Sequence, residues 1–276
     1  MGPVGYPCAS ALALPAVIRH SMSMNRRRFL QLSTSAAGLF ALRPLFAADD
    51  AGAPISKGAS FLLASDTHYI ANKEQPDAMD ETSREINARL VEWLNKLPGT
   101  DIPAEAGGGE EDGVHGVIHS GDLIDSGDKT DAAHEAMQKT EWSAFASDWG
   151  LNGGDGKLRW AVREIHGNHD GPHGETAMVD AIKARNKKRS GLTGVSENGL
   201  HYSWDWAGVH FVALGIIVGD TPEVARKRRY GALGSLPFLQ RDLADNVGTS
   251  GRPVVLIHHV DVSRLHPRRG ASSHNR

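Results

Sequence analysis

"EIHGNHDGPHG", residues Glu164 to Gly174, places three histidines, an Asn and an Asp among glycines within eleven residues. Gly and Asn adopt positive φ readily, and Asx side chains close turns on their own backbone, so this composition is also typical of a surface loop. The stretch follows "LRWAVREI", Leu158 to Ile165, whose alternating apolar residues predict a strand. A metal-binding interpretation therefore depends on matching ligands at equivalent positions elsewhere in the chain.

Three other short apolar runs also end in polar residues that could bind a metal. The predicted strands are "SFLLAS" at 60–65, "VHGVIHS" at 114–120 and "PVVLIHH" at 253–259, and the first and last of them are expected to be buried. The first leads into Asp66-x-His68, the second into Gly121-Asp122, and the third ends in His258-His259. Ligands of open α/β sheets bind beyond the carboxyl ends of the strands, so we expect these segments to converge.

Helical segments alternate with these strands and predict an α/β domain. One helix is expected near Asp80–Leu97, a second near Asp131–Trp149, and a third begins at Ser235 as its N-cap. A hairpin is expected around Ala207-Gly208, between 200–206 and 209–215. The face predicted to be buried on the first helix consists of Ile86, Leu90, Trp93, Leu94 and Leu97.

Charge and composition narrow the classes of function. Residues 1–47 carry five arginines and no acid, which leaves 25 basic against 33 acidic residues in the remainder. The net negative charge of the residues after 47 argues against binding to the phosphates of nucleic acids. The single cysteine, Cys8, excludes an intrachain disulfide and a multi-cysteine metal site, so any metal would be held by His, Asp, Glu or Asn.

The N-terminal region resembles a twin-arginine export signal. The stretch "MNRRRFLQL" begins at Met24, with Arg26 and Arg27 as the pair, and an apolar run and an Ala-rich segment come after it. Arg43-Pro44 interrupts that run too early for a stable membrane span. We therefore expect an upstream extension at 1–23, a signal at 24–48 read by the twin-arginine export machinery, and a periplasmic or extracellular protein.

The ordered set of motifs from Ser60 to Val262 resembles the calcineurin-like metallophosphoesterases, the superfamily of purple acid phosphatases and bacterial phosphodiesterases. The set is Asp66-x-His68, Gly121-Asp122, Gly167-Asn168-His169-Asp170 and His258. The resemblance implies an α/β fold with a two-sheet β-sandwich flanked by helices, over 58–262. It also implies hydrolysis of small-molecule phosphate mono- or diesters by a metal-bound hydroxide.

The resemblance also implies the role of each site residue. Asp66, His68 and Asp122 would bind one metal ion, and Asp122, Asn168 and His258 would bind the second, with Asp122 as the bridge. Two divalent or trivalent ions would be held, and the ligand types suit Mn, Fe, Zn or Ni. His169 would face the substrate as an acid or phosphoryl ligand, and Asp170 would orient its ring. Gly167 would allow a sharp turn.

The chain departs from the family pattern after Val262. The Gly-His-x-His loop that would give one more imidazole to each metal is missing, with the last strands of the fold. Residues 263–276 form a basic, non-periodic tail of non-native appearance. His266 and His274 lack the spacing to substitute for the missing loop.

Other polar residues have simpler interpretations. Asp125 is expected to cap local backbone, and His119, His166 and His173 to lie behind the site or at the surface. The basic runs Lys183–Arg189 and Arg226–Arg229 are typical of solvated faces. Two alternatives to an active hydrolase stay open: a truncated, catalytically impaired homologue that at most binds metal, and a module that retains phosphate or nucleotide without turnover.

Overall fold

The computed structural model describes residues 58–106, 108–109, 113–219, 223–225 and 229–260. Most of them belong to one compact unit, Gly52–Thr100 with Glu111–Arg276. Asp101–Glu110 is grouped with Met1–Ala51 in a second unit, in which the described residues form a short 3₁₀ turn at Ala104–Ala106. The predicted extension, export signal and basic tail, and the domain end at 261–262, lie outside the described residues.

A three-stranded parallel sheet carries the segments with the candidate ligands. Its strands are β1 (Leu62–Ala64), β2 (Val117–His119) and β3 (Val162–Glu164), in the order β1-β2-β3. The helices that follow them in the chain are α1 (Glu81–Lys96), α2 (Ala132–Trp149) and α3 (Ala177–Asn186). Side-chain caps begin all three, at Asp80, Asp131 and Thr176, so the predicted starts of the first two helices are confirmed.

The second large sheet contains the predicted hairpin. Its strands β4 (Gly194–Val195), β5 (Tyr202–Trp206), β6 (Val209–Ala213) and β9 (Val254–Ile257) lie in the order β4-β5-β6-β9, with β9 parallel to β6. A two-stranded sheet, β7 (Glu223–Ala225) with β8 (Arg229–Gly231), and helix α4 (Ser235–Asn246) lie between β6 and β9 in the chain.

Apolar packing joins the two large sheets. Ile118 and Ile165 from β2 and the end of β3 pack with Tyr202, Trp204 and Phe211 of the hairpin. A separate cluster packs Val117 and Val162 against helical residues such as Phe145. Side chains of β2 and β3 therefore alternate between the second sheet and the helices, and the predicted α/β class is confirmed.

Helix α1 has the predicted length, but only part of its predicted face is buried. Ile86 and Trp93, predicted to be buried, are 61% and 59% exposed, whereas Ser83 and Asn87 are buried. Ser83 Oγ accepts the Ile70 N–H at 3.0 Å, and the Asn87 amide donates to Thr67 O at 3.2 Å. The rest of the predicted face does pack in the core, with Leu94 buried and Leu90 and Leu97 partly buried. The prediction was wrong only at Ile86 and Trp93, because hydrogen bonds to the loop after β1 turn Ser83 and Asn87 inward.

Two predictions in the C-terminal half also need correction. Ser235 is not the N-cap of α4: that residue is Gly234, at φ 77°, and Ser235 Oγ instead donates to Ile217 O at 2.9 Å. Strand β9 is not fully buried, since Val254 and Leu256 are 36% and 44% exposed. Within the described residues β9 is the last strand of its sheet, and α4 packs on Val212 and Leu214.

The basic run 183–189 is not a wholly solvated face. Arg189 is buried, and Arg185 is largely so. Both guanidinium groups lie 2.6 Å from the Glu164 carboxylate at the end of β3. A buried carboxylate is compensated by these cations, so the α3 segment is held to the strand from which the Gly167–Asp170 turn begins.

No helix in the described ranges is both long enough and apolar enough to span a membrane.

The buried His201 predicts a pH dependence of stability. Burial lowers its pKa to about 4, although its Nε2 donates to Leu233 O at 2.9 Å and this bond raises the pKa. An unfolded histidine titrates near 6.5, so between that pH and 4 the unfolded chain binds a proton that the folded chain excludes. Stability therefore falls as pH falls, by about 3 kcal/mol between pH 8 and pH 4 from this residue.

Denaturant unfolding of His201→Gln across this pH range should show a smaller loss than the parent chain. His115→Gln is the control, because the His115 ring is exposed in the folded chain. Equal loss in the parent and the His201 variant would contradict the assignment.

Candidate metal centre

The loops after β1 and β2 stay paired beyond the ends of their strands. The N–H of Asp66 donates to Gly121 O at 2.9 Å, and the N–H of His68 donates to Asp122 O at 3.1 Å. The pairing ends in a parallel bridge between Tyr69 and Ile124. Because backbone hydrogen bonds fix this register, Asp66 and His68 are held beside Asp122.

Asp122 lies at the centre of the site. The residue is 3% exposed, and one carboxylate oxygen, Oδ1, accepts the His169 N–H at 2.8 Å. The other oxygen, Oδ2, lies 3.5 Å from His68 Nε2 and 3.3 Å from His259 Nε2. The carboxylate of Asp122, which follows β2, therefore contacts residues that follow the other three strands.

Three residues of the site adopt left-handed backbone conformations, which residues other than glycine rarely adopt. Their φ angles are 56° for Asp66, 39° for His68 and 53° for Asp122. Each such residue costs about 1–3 kcal/mol and persists where the surrounding structure determines it, as in functional sites. All three strained residues lie in the two loops, after β1 and β2, that carry candidate ligands.

Three histidines are anchored through Nδ1, which leaves Nε2 for the site. His169 Nδ1 donates to Asp125 O at 2.9 Å, and His259 Nδ1 donates to Ser120 O at 2.9 Å. His68 Nδ1 lies 3.1 Å from Asp125 Oδ1. Metal-binding histidines show this pattern, in which an oxygen at one ring nitrogen fixes the ring orientation and directs the other nitrogen at the ion.

Two groups of ligand atoms could each hold a metal ion, and both include Asp122. One consists of His68, Asp122 and His169, and the other of Asp66, Asp122 and His259, with the ligand atoms of each group within 4.8 Å of one another. Imidazole and carboxylate are suitable donors for Mn, Fe, Zn or Ni. The residues present therefore fit a metal ion.

The structure differs from the predicted ligand set at its C-terminal end. His259, rather than His258, lies beside Asp122. Its N–H donates to Gly215 O and its ring is held by Ser120 O, whereas His258 Nδ1 faces Val260 O at 2.8 Å. Adjacent side chains along an extended backbone point to opposite sides, so only one of this pair can reach the site.

Of the other predicted residues, Asn168 lies half-buried in the turn immediately before His169. Asp66 is exposed at the rim, where Ser65 Oγ donates to its Oδ2.

Asp170 does not orient the His169 ring as predicted. Its buried carboxylate accepts the N–H groups of Gly167 at 2.7 Å, Leu123 at 3.0 Å and Ile124 at 3.1 Å. It therefore ties the loop after β2 to the loop after β3. The prediction failed because both oxygens are occupied by backbone donors.

Asp125 is the supporting residue that the sequence analysis missed. Its carbonyl oxygen accepts from His169 Nδ1, and its Oδ1 lies 3.1 Å from His68 Nδ1 and 3.7 Å from His169 Nδ1. The two rings meet edge to face, with centroids 4.7 Å apart. The only sequence signal was its position three residues after Asp122, which also suits a backbone cap.

The electrostatics favour an anion at Asp122. Burial opposes ionisation, but His259 and the His169 N–H lower the pKa of Asp122 below its ordinary value. Burial also lowers the pKa of His259, yet the contact with Asp122 raises it overall. Burial raises the pKa of Asp170 to about 7, and the backbone donor at Gly167 opposes that rise.

Behind the site, burial lowers the pKa of His119 to about 3, so this ring is neutral where its Nε2 contacts Thr67 Oγ1.

Gly167 is required for close approach to Asp122. A Cβ at this position would lie 2.1 Å from Asp122 Oδ1 and 2.3 Å from Asp122 N, and its φ is not among the positive values. The reason for glycine is thus space beside the carboxylate, and not the sharp turn that we predicted. We expect Gly167→Ala to displace Asp122 and to weaken metal binding by at least roughly 10-fold, measured by calorimetry with Mn²⁺.

Gly58→Ala is the matched control, because its Cβ would meet nothing within 4 Å. Unchanged metal affinity in Gly167→Ala would show that the Asp122 carboxylate does not take part in metal binding.

Comparison of the chain with known proteins gave no match to a family model, to a curated protein or to a solved structure.

Proposed function

We propose that the chain is a metal-dependent hydrolase of phosphate mono- or diesters, with a dinuclear centre of the calcineurin-like metallophosphoesterase type. The observation that carries the proposal is the position of Asp122, which is common to both groups of ligand atoms. Two cations close together need a shared anion to offset their repulsion, and a buried carboxylate with a lowered pKa is suited to that role. The joined parallel and mixed sheets also agree with the two-sheet arrangement that the resemblance implies.

Each residue has a role in this proposal. His68 and His259, whose Nε2 atoms both lie near Asp122 Oδ2, would each bind one of the two ions, and Asp66 would add a carboxylate at the exposed rim. Bound cations would polarise the phosphoryl oxygens and supply a nucleophile at neutral pH. Asp125 orients His68 and His169 from behind.

His169 is the proposed proton donor to the leaving oxygen. Its Nδ1 is occupied by Asp125 O, so Nε2 is the nitrogen that can carry the transferred proton. The same ring lies close enough to share a metal ion with His68 and Asp122. The role of proton donor and the role of metal ligand predict different results for a His169 variant.

The decisive experiment measures hydrolysis of p-nitrophenyl phosphate and bis-p-nitrophenyl phosphate by the full chain loaded with Mn²⁺, Fe²⁺, Zn²⁺ or Ni²⁺. We expect metal-dependent turnover, and we expect His169→Gln to lower kcat by roughly 10²- to 10⁴-fold with metal content unchanged. Loss of metal from this variant would assign His169 as a ligand. Absence of turnover with every metal would refute the hydrolase proposal.

A second candidate function is metal binding without turnover. It is favoured by the grouping of His169 with His68 and Asp122, since a ring that binds the metal cannot also serve as the proton donor. Stoichiometric metal binding with no hydrolysis of either ester would support it over the hydrolase.

A further inference from the structure

Glu141 is a fully buried acidic residue outside the ligand groups. It lies on helix α2 with 0% exposure, and both of its carboxyl oxygens accept hydrogen bonds. Oε1 accepts the Ala71 N–H at 3.0 Å, and Oε2 accepts the Ser126 N–H at 3.1 Å and Ser126 Oγ–H at 2.7 Å. No lysine, arginine or histidine in the described residues forms an ion pair with it.

These two partners belong to the two loops that supply the site. Ala71 is three residues after His68, and Ser126 directly follows Asp125. The loops are paired up to this point, where the Asp125 N–H donates to Tyr69 O at 3.2 Å. Glu141 therefore bridges the two loops where their own pairing ends, immediately behind the contact between His68 and Asp125.

A second residue of α2 also binds the backbone of Ser126. The Gln138 amide, one turn before Glu141, donates to Ser126 O and to Lys129 O, both at 2.8 Å. The Ser126 peptide is thus fixed at both its N–H and its C=O. Because Asp125 directly precedes Ser126, helix α2 also fixes the backbone of Asp125, which contacts the rings of His68 and His169.

A buried carboxyl group without a cation is costly, and a neutral or apolar residue would suffice if α2 only had to pack. We propose that Glu141 is a positioning residue, which sets the distance between the His68 and Asp125 loops and so the aim of the His68 and His169 rings. The expected effect of Glu141 on metal binding rests on the proposed function. Its effect on the orientation of the two histidine rings can be tested in metal-free protein.

The test compares Glu141→Gln with Asp148→Asn in the full chain. An amide cannot accept at both ends, so Glu141→Gln leaves one backbone N–H of the two loops unpaired. Asp148 is the control: it is a buried acid on the same helix that accepts from Tyr69 Oη at 2.9 Å, pairs with Lys157 Nζ at 2.7 Å and contacts neither Ala71 N nor Ser126 N. Both variants should lose some stability.

Two readouts separate positioning from a merely structural role. In metal-free protein, long-range ¹H–¹⁵N spectra at fixed pH should show altered ring signals for His68 and His169 in Glu141→Gln only. With Co²⁺ as the probe, binding should weaken by roughly 10- to 100-fold in Glu141→Gln and stay near the parent value in Asp148→Asn.

Unchanged ring signals in Glu141→Gln, or equal changes in both variants, would overturn the inference. If the parent chain binds no Co²⁺, the proposed function fails while the ring signals still decide the role of Glu141. Should Glu141→Gln fail to fold, Ser126→Ala removes only the hydroxyl donor and should produce a smaller change in the same ring signals, and no change would overturn the inference.

Discussion

Replacing Asp122 with alanine should reduce metal-dependent phosphate-ester hydrolysis to the rate measured without metal. The variant removes the one carboxylate common to both groups of ligand atoms. It also leaves His259 Nε2 and the His169 N–H without their partner. The loss in metal affinity should exceed the roughly 10- to 100-fold that follows removal of a residue that only supports a ligand.

The measurement is hydrolysis of bis-p-nitrophenyl phosphate together with metal content after dialysis. Asp128→Ala is the matched control, since Asp128 lies further along the same loop, pairs with Lys129 and belongs to neither ligand group. Equal activity in the two variants would show that Asp122 does not organise the site.

Glu164→Gln should destabilise the fold by about 3–5 kcal/mol, because it leaves two buried guanidinium groups without a counter-charge. Arg185 and Arg189 both lie 2.6 Å from Glu164 Oε1, and burial of Glu164 opposes ionisation while the two arginines hold its pKa well below the ordinary value. The folded chain therefore favours the carboxylate, and its contribution is lost as pH falls through the acid range.

Denaturant unfolding at neutral pH measures this cost. Glu92→Gln is the control for the same chemical change, because Glu92 pairs with Lys96 on the exposed face of α1, where such pairs contribute little. The double variant Glu164→Gln with Arg189→Met should recover part of the loss, since one buried cation is removed. No recovery would argue that packing, and not charge, dominates this network.

The sequence was informative where local signals act alone. Asp80 and Asp131 were identified as helix starts, and each accepts a hydrogen bond from the N–H three residues later. The strand ends that carry Asp66, His68 and Asp122 were predicted from short apolar runs followed by polar residues. Their convergence follows from parallel pairing of the strands, which continues in the hydrogen bond from the Asp66 N–H to Gly121 O.

Tertiary contacts determined what the sequence could not. Apolar spacing favoured Ile86 and Trp93 as the buried face of α1, but Ser83 and Asn87 turn inward to bond with the loop after β1. In the same way, Asp170 is used by backbone N–H groups that belong to a distant loop. Periodicity does not report such long-range donors.

The choice between neighbouring histidines was also beyond the sequence. His258 and His259 are equivalent in composition and motif, and only the carbonyl of Ser120 and the register of β9 on β6 direct His259 to Asp122. Asp125 is similar, since its role depends on two rings that come from other loops.

The central claim, that Asp122 bridges two cations, is tested most directly by electron paramagnetic resonance of the full chain titrated with Mn²⁺. We predict two ions per chain with the spectrum of an exchange-coupled pair, and loss of that coupling in Asp122→Ala. Isolated Mn²⁺ signals at every loading, or a coupled pair that persists in Asp122→Ala, would contradict the claim.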